Sequence, residues 1–263
     1  FFNEKIMCGL GAELSETGRL HPEGRARALV ALKRFAMLAR GMQAEPIYTV
    51  ATAAVREAED GGEFCAEVLA ATGLRLNVAS GEEEARLSAQ GVLLGWPTAK
   101  GLMCDIGGSS MELAEIADGE VGLCRSSTLG PLKLATIADQ DRIQAEIRSQ
   151  IDDLRLALGQ EYATLFLVGG SWRAIARLDM ERRKYPLKVL HEYAMTPEQA
   201  LETVAWIGGH QVDELRAITG SSPERMRLVP IAARVLKELI TQFAPRQIAV
   251  SSYGIREGLL YEQ

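Results

Sequence analysis

Short apolar runs of strand character alternate with longer runs of helical period along most of this 263-residue chain, and that alternation limits its fold more than any other feature. It is the pattern of α/β layers rather than of a helix bundle or a β-sandwich. HPEGRARALVALKRFAML reads as an amphipathic helix entered at Pro22, where the missing N–H leaves nothing unsatisfied. PIYTVAT then reads as a strand ending at Thr52, GGEFCAEVLAATG as a helix, and RLNVAS as a short strand running into Gly81 and the acidic helix start EEEARLSAQGVLLG. Gly95, Trp96 and Pro97 break the chain, and the expected domains are therefore residues 1–97 and 98–263. The second part opens with the apolar strand GLMCDIG, and a tight hairpin returns as MELAEI. Further strands are expected at EVGLCRSST, ATLFLVGG and RQIAVSS, with helices at DRIQAEIRSQIDDLRLAL and RLVPIAARVLKELITQF.

With 47% apolar residues the chain can bury a sizeable core, and its length suits two domains. A net charge of −6 argues against general affinity for nucleic acid or an anionic membrane, since both need a broad basic surface. Any anionic substrate must then be met locally. Cys8, Cys65, Cys104 and Cys124 lie far apart with no CxxC pair, the usage of reduced thiols in a cytoplasmic protein. No apolar run approaches the roughly 18 residues of a membrane span, and FFNEKIMCGLG has neither a basic leader nor an initiating Met, so the start of the gene product is expected upstream.

Chemistry concentrates where strands end. In CDIGGSSMELAEI a strand closes on Asp105 and turns through Gly107, Gly108, Ser109 and Ser110. Glycines let backbone N–H groups approach an anion with no Cβ in the way, and serine hydroxyls add donors. Asp105 and Glu112 on the return strand could hold a hydrated Mg2+ that neutralises phosphate oxygens. A plain hairpin also accounts for the stretch, because Gly and Ser are ordinary turn residues. LFLVGGSWRAIARL repeats the strand and Gly-Gly pattern but leads from Gly169, Gly170 and Ser171 into a helix, whose first N–H groups suit an anion. Strand-to-helix turns carry paired glycines for packing reasons too.

Glu82, Glu83 and Glu84 begin a helix, where carboxylates are favoured whatever the function. Spacing separates them. Glu82 has Arg86 at i+4 and reads as a surface pair, whereas Glu84 shares its face with Ser88, Gly91 and Gly95, small residues that would leave room for a ligand. TVATAAVREAED places Arg56 just after a strand, where a guanidinium suits phosphate, though a solvated helix arginine reads the same way. Arg182, Arg183, Lys184 and Lys188 form the densest basic run and could draw a polyanion or simply be solvated. The three histidines lack metal-ligand spacing, and neither GxSxG nor HExxH occurs.

Taken together, SGEEEARL, DIGGSSMEL, VGGSWRAIARL and SSYGIREGLL, in this order, resemble the exopolyphosphatase and guanosine pentaphosphate phosphohydrolase family of the actin-like acetate and sugar kinase superfamily. The resemblance implies an α/β fold of two ribonuclease H-like (actin-like ATPase) lobes, with mixed sheets flanked by helices and an active-site cleft between them. It implies Glu84 as the catalytic glutamate, Asp105 and Glu112 as the acids of a Mg2+ site, and Gly107, Gly108 and Ser109 as a phosphate loop. Gly169, Gly170 and Ser171 match the other loop, and Arg56 the arginine of the segment read here as TAAVR.

Two departures stand out. Relatives begin with a strand and a DxGSNS-like loop for which Phe1 has no counterpart upstream, and Ser109 stands where a third glycine is common. Many relatives also carry helical C-terminal domains beyond the position where this chain ends.

The expected activity is hydrolysis of a terminal phosphoanhydride bond of inorganic polyphosphate, with guanosine pentaphosphate as the alternative substrate and a homodimer compatible with either. A kinase of the same superfamily is disfavoured because nothing marks an adenine pocket. A non-catalytic sensor of guanosine tetraphosphate is the remaining alternative, distinguished by tight binding without turnover.

Overall fold

The computed structural model describes residues 4–159 and 161–261. It divides into two compact units, Phe1–Ser80 and Gly81–Gln263. The division falls before the acidic helix, not at the Gly-Trp-Pro break expected to end the first domain. The reason is packing. Helix α5 (Gly81–Gly95) lies on the sheet of the second unit and against the last helix of the chain.

The first unit contains α1 (Leu14–Thr17), α2 (Pro22–Gly41), β1 (Val50–Ala51), α3 (Ala53–Glu57), α4 (Gly61–Thr72) and β2 (Asn77–Val78). His21 caps α2 by accepting the Gly24 N–H, and Pro22 sits in the first turn as expected. Leu14, Leu20, Ala28, Val55, Phe64 and Val68 form its core. Asp60 ties the loops together, accepting the Leu20 N–H at 2.9 Å and the Arg25 guanidinium at 3.1 Å. Instead of a mixed sheet, the described residues of this unit hold only the two short parallel strands β1 and β2. Ile47 and Tyr48, the apolar start of the expected strand, remain exposed, so only its last residues gain from pairing.

The second unit continues with β3 (Gly101–Ile106), β4 (Met111–Ala117), β5 (Glu120–Ser127), α6 (Pro131–Leu134) and α7 (Gln140–Leu158). Next come β6 (Thr164–Val168), α8 (Gly170–Arg182), β7 (Tyr193–Met195), α9 (Pro197–Gly208), α10 (Val212–Thr219) and α11 (Pro223–Met226). Helix α12 (Val229–Phe243), β8 (Gln247–Ser251) and α13 (Ile255–Tyr261) complete it. The sheet has the order β5-β4-β3-β6-β8-β7. β3, β6 and β8 run parallel to one another, while β4, β5 and β7 pair antiparallel to their neighbours. This is the expected mixed α/β class, with helices on both faces.

Side-chain alternation along the strands explains the layering. Leu102, Cys104 and Ile106 join the larger core beneath α7, α8, α9 and α12. Met103 points the other way, with Ala114, Ile116, Phe166 and Ala249, into the core beneath α5. Helix α7 meets its side through Ile143, Ile147, Ile151, Leu154 and Leu158, a stripe of helical period, and Asp139 caps its start by accepting the Asp141 N–H at 2.8 Å. Strand β5 lies at the sheet edge with most of its residues at least partly exposed, whereas β3 is buried on both faces, as its unbroken apolar run predicts.

All four cysteines are unpaired, and among the described residues no helix is long and apolar enough to cross a membrane.

Candidate active site

The same alternation that builds the core sets the orientation of the acids. Asp105 is two residues beyond Met103 and so projects toward α5, and Glu112, two before Ala114, does likewise. In the antiparallel ladder Asp105 pairs directly with Glu112, and on the next strand Glu112 pairs with Ser126. Glu84 reaches the cluster from the first turn of α5; it is 6% exposed, and its charge acts on both Asp105 and Glu112. Three acids expected to act together are therefore gathered within the second unit.

Each acid is held differently. The Ser88 hydroxyl, one turn along α5 from Glu84, donates to Asp105 Oδ2 at 2.5 Å. Asp105 keeps part of its surface open, yet its carboxyl lies deep enough that burial raises its pKa to about 6. The Glu84 charge adds to the rise, while Ser88 and the Arg173 guanidinium oppose it. Glu112 is 1% exposed; burial first, then Glu84, pushes its pKa well above the ordinary carboxylate range. Ser126 donates to Glu112 Oε1 at 3.1 Å. Its Oε2 has no hydrogen-bond partner among the described residues, and the neighbouring Ser110 hydroxyl, near enough to temper the pKa, makes no bond of ordinary geometry either.

An unpaired buried carboxylate oxygen beside two further acids is electrostatically incomplete, and a proton or a hard cation would complete it. No group of three or more His, Cys, Asp or Glu side chains among the described residues is arranged to hold a metal ion. Asp105 and Glu112 are the pair of facing carboxylates that could hold a hard cation such as Mg2+, with water and substrate oxygens supplying the remaining ligands.

The two Gly-Gly loops meet at this place. Asp105 and Val168 are register partners on the parallel strands β3 and β6, so both chains turn at the same end of the sheet. Gly169 has φ +120°, which disfavours any side chain, and a Cβ there would come within 2.7 Å of the Ile106 carbonyl and 3.0 Å of Asp105 Oδ1. In the first loop the Gly107 N–H is already spent on the Ser110 carbonyl, at 3.0 Å. The N–H groups of Gly108 and Ser109 make no hydrogen bond among the described residues and remain as donors. The loop is braced from behind: Gly108 O accepts the Leu132 N–H at 2.8 Å, and Gly130 packs so closely on Ser109 that a Cβ would lie 2.2 Å from its carbonyl carbon. Gly170 and Ser171 open α8, with Ser171 mostly buried.

The structure adds detail to four expectations. The small face of α5 is packing surface, not space for a ligand. A Cβ on Gly91 would lie 2.3 Å from the Gly254 carbonyl, one on Gly95 would lie 2.8 Å from the His191 ring, and α13 approaches so closely that a Cβ on Gly258 would lie 1.8 Å from Leu87 O. Glu82 lies 3.5 Å from Arg125 of β5, at 68% exposure. The basic run is largely committed: Arg182 and Arg183 bind Glu202 and the fully buried Asp179, and Lys188 pairs with Glu181. Arg56 lies in the first unit, where it donates to the Ala79 carbonyl at 2.8 Å.

Ser88 and Ser126, as partners of the acids, and Arg173 carry no motif of their own in the sequence. The GGSWRA stretch carried a signal for Arg173, since the residue three after Gly170 falls in the first turn of the helix that the loop opens.

Acids, serine hydroxyls and bare loop amides collected at the carboxyl ends of parallel strands define a phosphate-handling α/β enzyme. The model of the Ppx/GppA phosphatase family matches residues 1–263, and the chain belongs to that family. Exopolyphosphatase 2 of Mycobacterium tuberculosis (strain ATCC 25618 / H37Rv) is 26% identical over 277 residues, covering 97% of this chain and 86% of that protein. Among solved structures, an exopolyphosphatase from Cytophaga hutchinsonii ATCC 33406 superposes with a TM-score of 0.88 at 22% identity, covering 99% of this chain and 88% of that one. A Ppx/GppA family member from Aquifex aeolicus gives 0.80 at 22% identity, with coverages of 97% and 86%. The two structures share the fold of this chain.

Proposed function

We propose that this phosphatase hydrolyses the terminal phosphoanhydride bond of inorganic polyphosphate, releasing orthophosphate. The observation that carries the reading is the convergence of Glu84, Asp105 and Glu112 beside two Gly-Gly loops at one end of the sheet. The relatives named as exopolyphosphatases supply the substrate class.

Phosphoryl transfer to water asks little covalent chemistry of a protein; it asks for positioning and charge stabilisation. Glu84 takes the proton of the attacking water, so that the water oxygen bonds to phosphorus as the bridging oxygen leaves with the shortened chain. Its nearly complete burial keeps other waters from competing. The Gly108 and Ser109 N–H groups hold oxygens of the terminal phosphate, and the braced loop behind them keeps that geometry fixed. Ser88 holds one oxygen of Asp105 in place and helps keep that carboxyl ionised. Mg2+ bound at Asp105 and Glu112 would supply charge neutralisation for the phosphate oxygens.

The test is phosphate release from long-chain polyphosphate and from guanosine pentaphosphate, with and without Mg2+. Release from polyphosphate at the higher kcat/KM supports the reading. Preference for guanosine pentaphosphate moves the assignment to the nucleotide substrate, and binding without release makes the protein a sensor.

A further inference from the structure

Helix α5 is tied to the sheet at two places, and Glu84 stands on the helix between them. At one, the Ser88 hydroxyl donates to Asp105 Oδ2 at 2.5 Å. At the other, Gly81, the first residue of the helix, rests on Ser126 of β5. A Cβ on Gly81 would lie 2.4 Å from Ser126 Cβ and 2.5 Å from its Oγ, so only a glycine there leaves room for the serine hydroxyl.

The register of the strands gives that hydroxyl its target. Ser126 is opposite Glu112 on the β4–β5 ladder, and Glu112 is opposite Asp105 on the β3–β4 ladder. Alternation turns Ser126 to the same side as Cys124, which packs beneath α5. Ser126 itself is exposed at the sheet edge, whereas Glu112 is buried. Its hydroxyl donates to Glu112 Oε1 at 3.1 Å, while Oε2 of the same carboxylate has no hydrogen-bond partner among the described residues. The next serine is a natural contrast, because the Ser127 hydroxyl donates to the backbone carbonyl of Met111, at 3.2 Å.

The last torsion of a glutamate is broad and nearly two-fold, so a carboxylate without a fixed partner exchanges its two oxygens. A single hydrogen bond to Oε1 ends that freedom. Resting on the reading that Glu112 serves the phosphoryl-transfer site, we propose that Ser126 is a positioning residue, whose hydroxyl fixes the Glu112 carboxylate through Oε1 and leaves Oε2 for a ligand. The contact with Gly81 confines the hydroxyl to this task, since the start of α5 closes the space into which it would otherwise turn.

The experiment measures steady-state phosphate release from long-chain polyphosphate and calorimetric binding of Mg2+ alone, for the parent, Ser126→Ala, Ser126→Thr and Ser127→Ala, with thermal melts of each. Ser126→Ala keeps the Cβ on which Gly81 rests and removes only the hydroxyl. It is expected to fold, to lose about tenfold in kcat with KM little changed, and to bind Mg2+ several-fold more weakly. Ser126→Thr keeps the hydroxyl and suits a strand, so it should recover most of both losses, and Ser127→Ala should show neither. A folded Ser126→Ala protein with the kcat of the parent, a Ser126→Thr protein that folds yet recovers nothing, or equal losses in Ser127→Ala overturns the proposal. Should Ser126→Ala not fold, Ser126→Cys, close in shape but a weaker donor, decides by the same readings. If the parent releases no phosphate, the hydrolysis reading fails and the Mg2+ titration decides alone. A parent that binds no Mg2+ in that case, or a Ser126→Ala protein that binds it as the parent does, overturns the role of Ser126.

Discussion

Asp105 and Glu112 stand directly opposite one another across the β3–β4 ladder, on the face that α5 covers with Glu84. Like charges so placed disfavour each other's ionisation. The fold therefore holds its reactive acids at a cost in stability.

That cost has a definite pH dependence. Asp105 titrates at about 6 in the fold, against about 3.9 in an open chain. The folded state thus binds the extra proton, and the stabilisation is fully present below about pH 4 and lost as pH rises through 6. The difference is of the order of 2–3 kcal/mol. With a chelator present, Asp105→Asn is expected to melt several degrees above the parent at pH 8 and at nearly the same temperature at pH 4. Melting curves across that range check it, and a variant less stable at every pH would show that the charge is not the burden described.

The same substitution should weaken the hold on Mg2+, because an amide keeps the shape of the carboxylate but loses its charge. Titrating Mg2+ against phosphate release is expected to give a higher half-maximal concentration for Asp105→Asn. An unchanged titration would remove Asp105 from the cation site.

Ser88 offers a finer test. Its hydroxyl lowers the Asp105 pKa, so Ser88→Ala should raise it, and the acid limb of the pH–activity profile should move to higher pH. Simple loss of packing would lower activity evenly across the profile without moving that limb.

Helix α5, which presents Glu84, has α13 lying almost on its backbone. With Gly258 Cβ placed 1.8 Å from Leu87 O, Gly258→Ala has no room and must displace one helix from the other. Destabilisation of at least about 1–3 kcal/mol is expected, together with loss of turnover as Glu84 shifts. Chemical denaturation and a turnover assay on the same sample check both. Gly62, with open space around its missing Cβ, is the control, and its alanine variant should behave as the parent.

Much of this was legible in the chain. The unbroken apolar run ending at Asp105 predicts a central strand, and side-chain alternation along it predicts that Asp105 and Met103 share a face. The small residues of α5 were visible too, but not their use. Whether Gly91 and Gly95 border a ligand or another backbone depends on Gly254 and His191, which lie far along the sequence. The domain boundary was misplaced for the same reason, since Gly95-Trp96-Pro97 marks a break in the backbone while the packing of α5 decides the unit it joins. Ser126 meets Glu112 only through a second strand pairing that no local motif announces.

In the proposed reaction Glu84 activates the attacking water while its neighbour Glu82 does not. Steady-state phosphate release from polyphosphate by Glu84→Gln and Glu82→Gln, beside the parent, tests it most directly. Glu84→Gln is expected to lose at least about 100-fold in kcat with KM nearly unchanged, and Glu82→Gln, at an exposed position beside Arg125, to stay within a few-fold of the parent. Equal losses in the two variants, or full activity in Glu84→Gln, would contradict it.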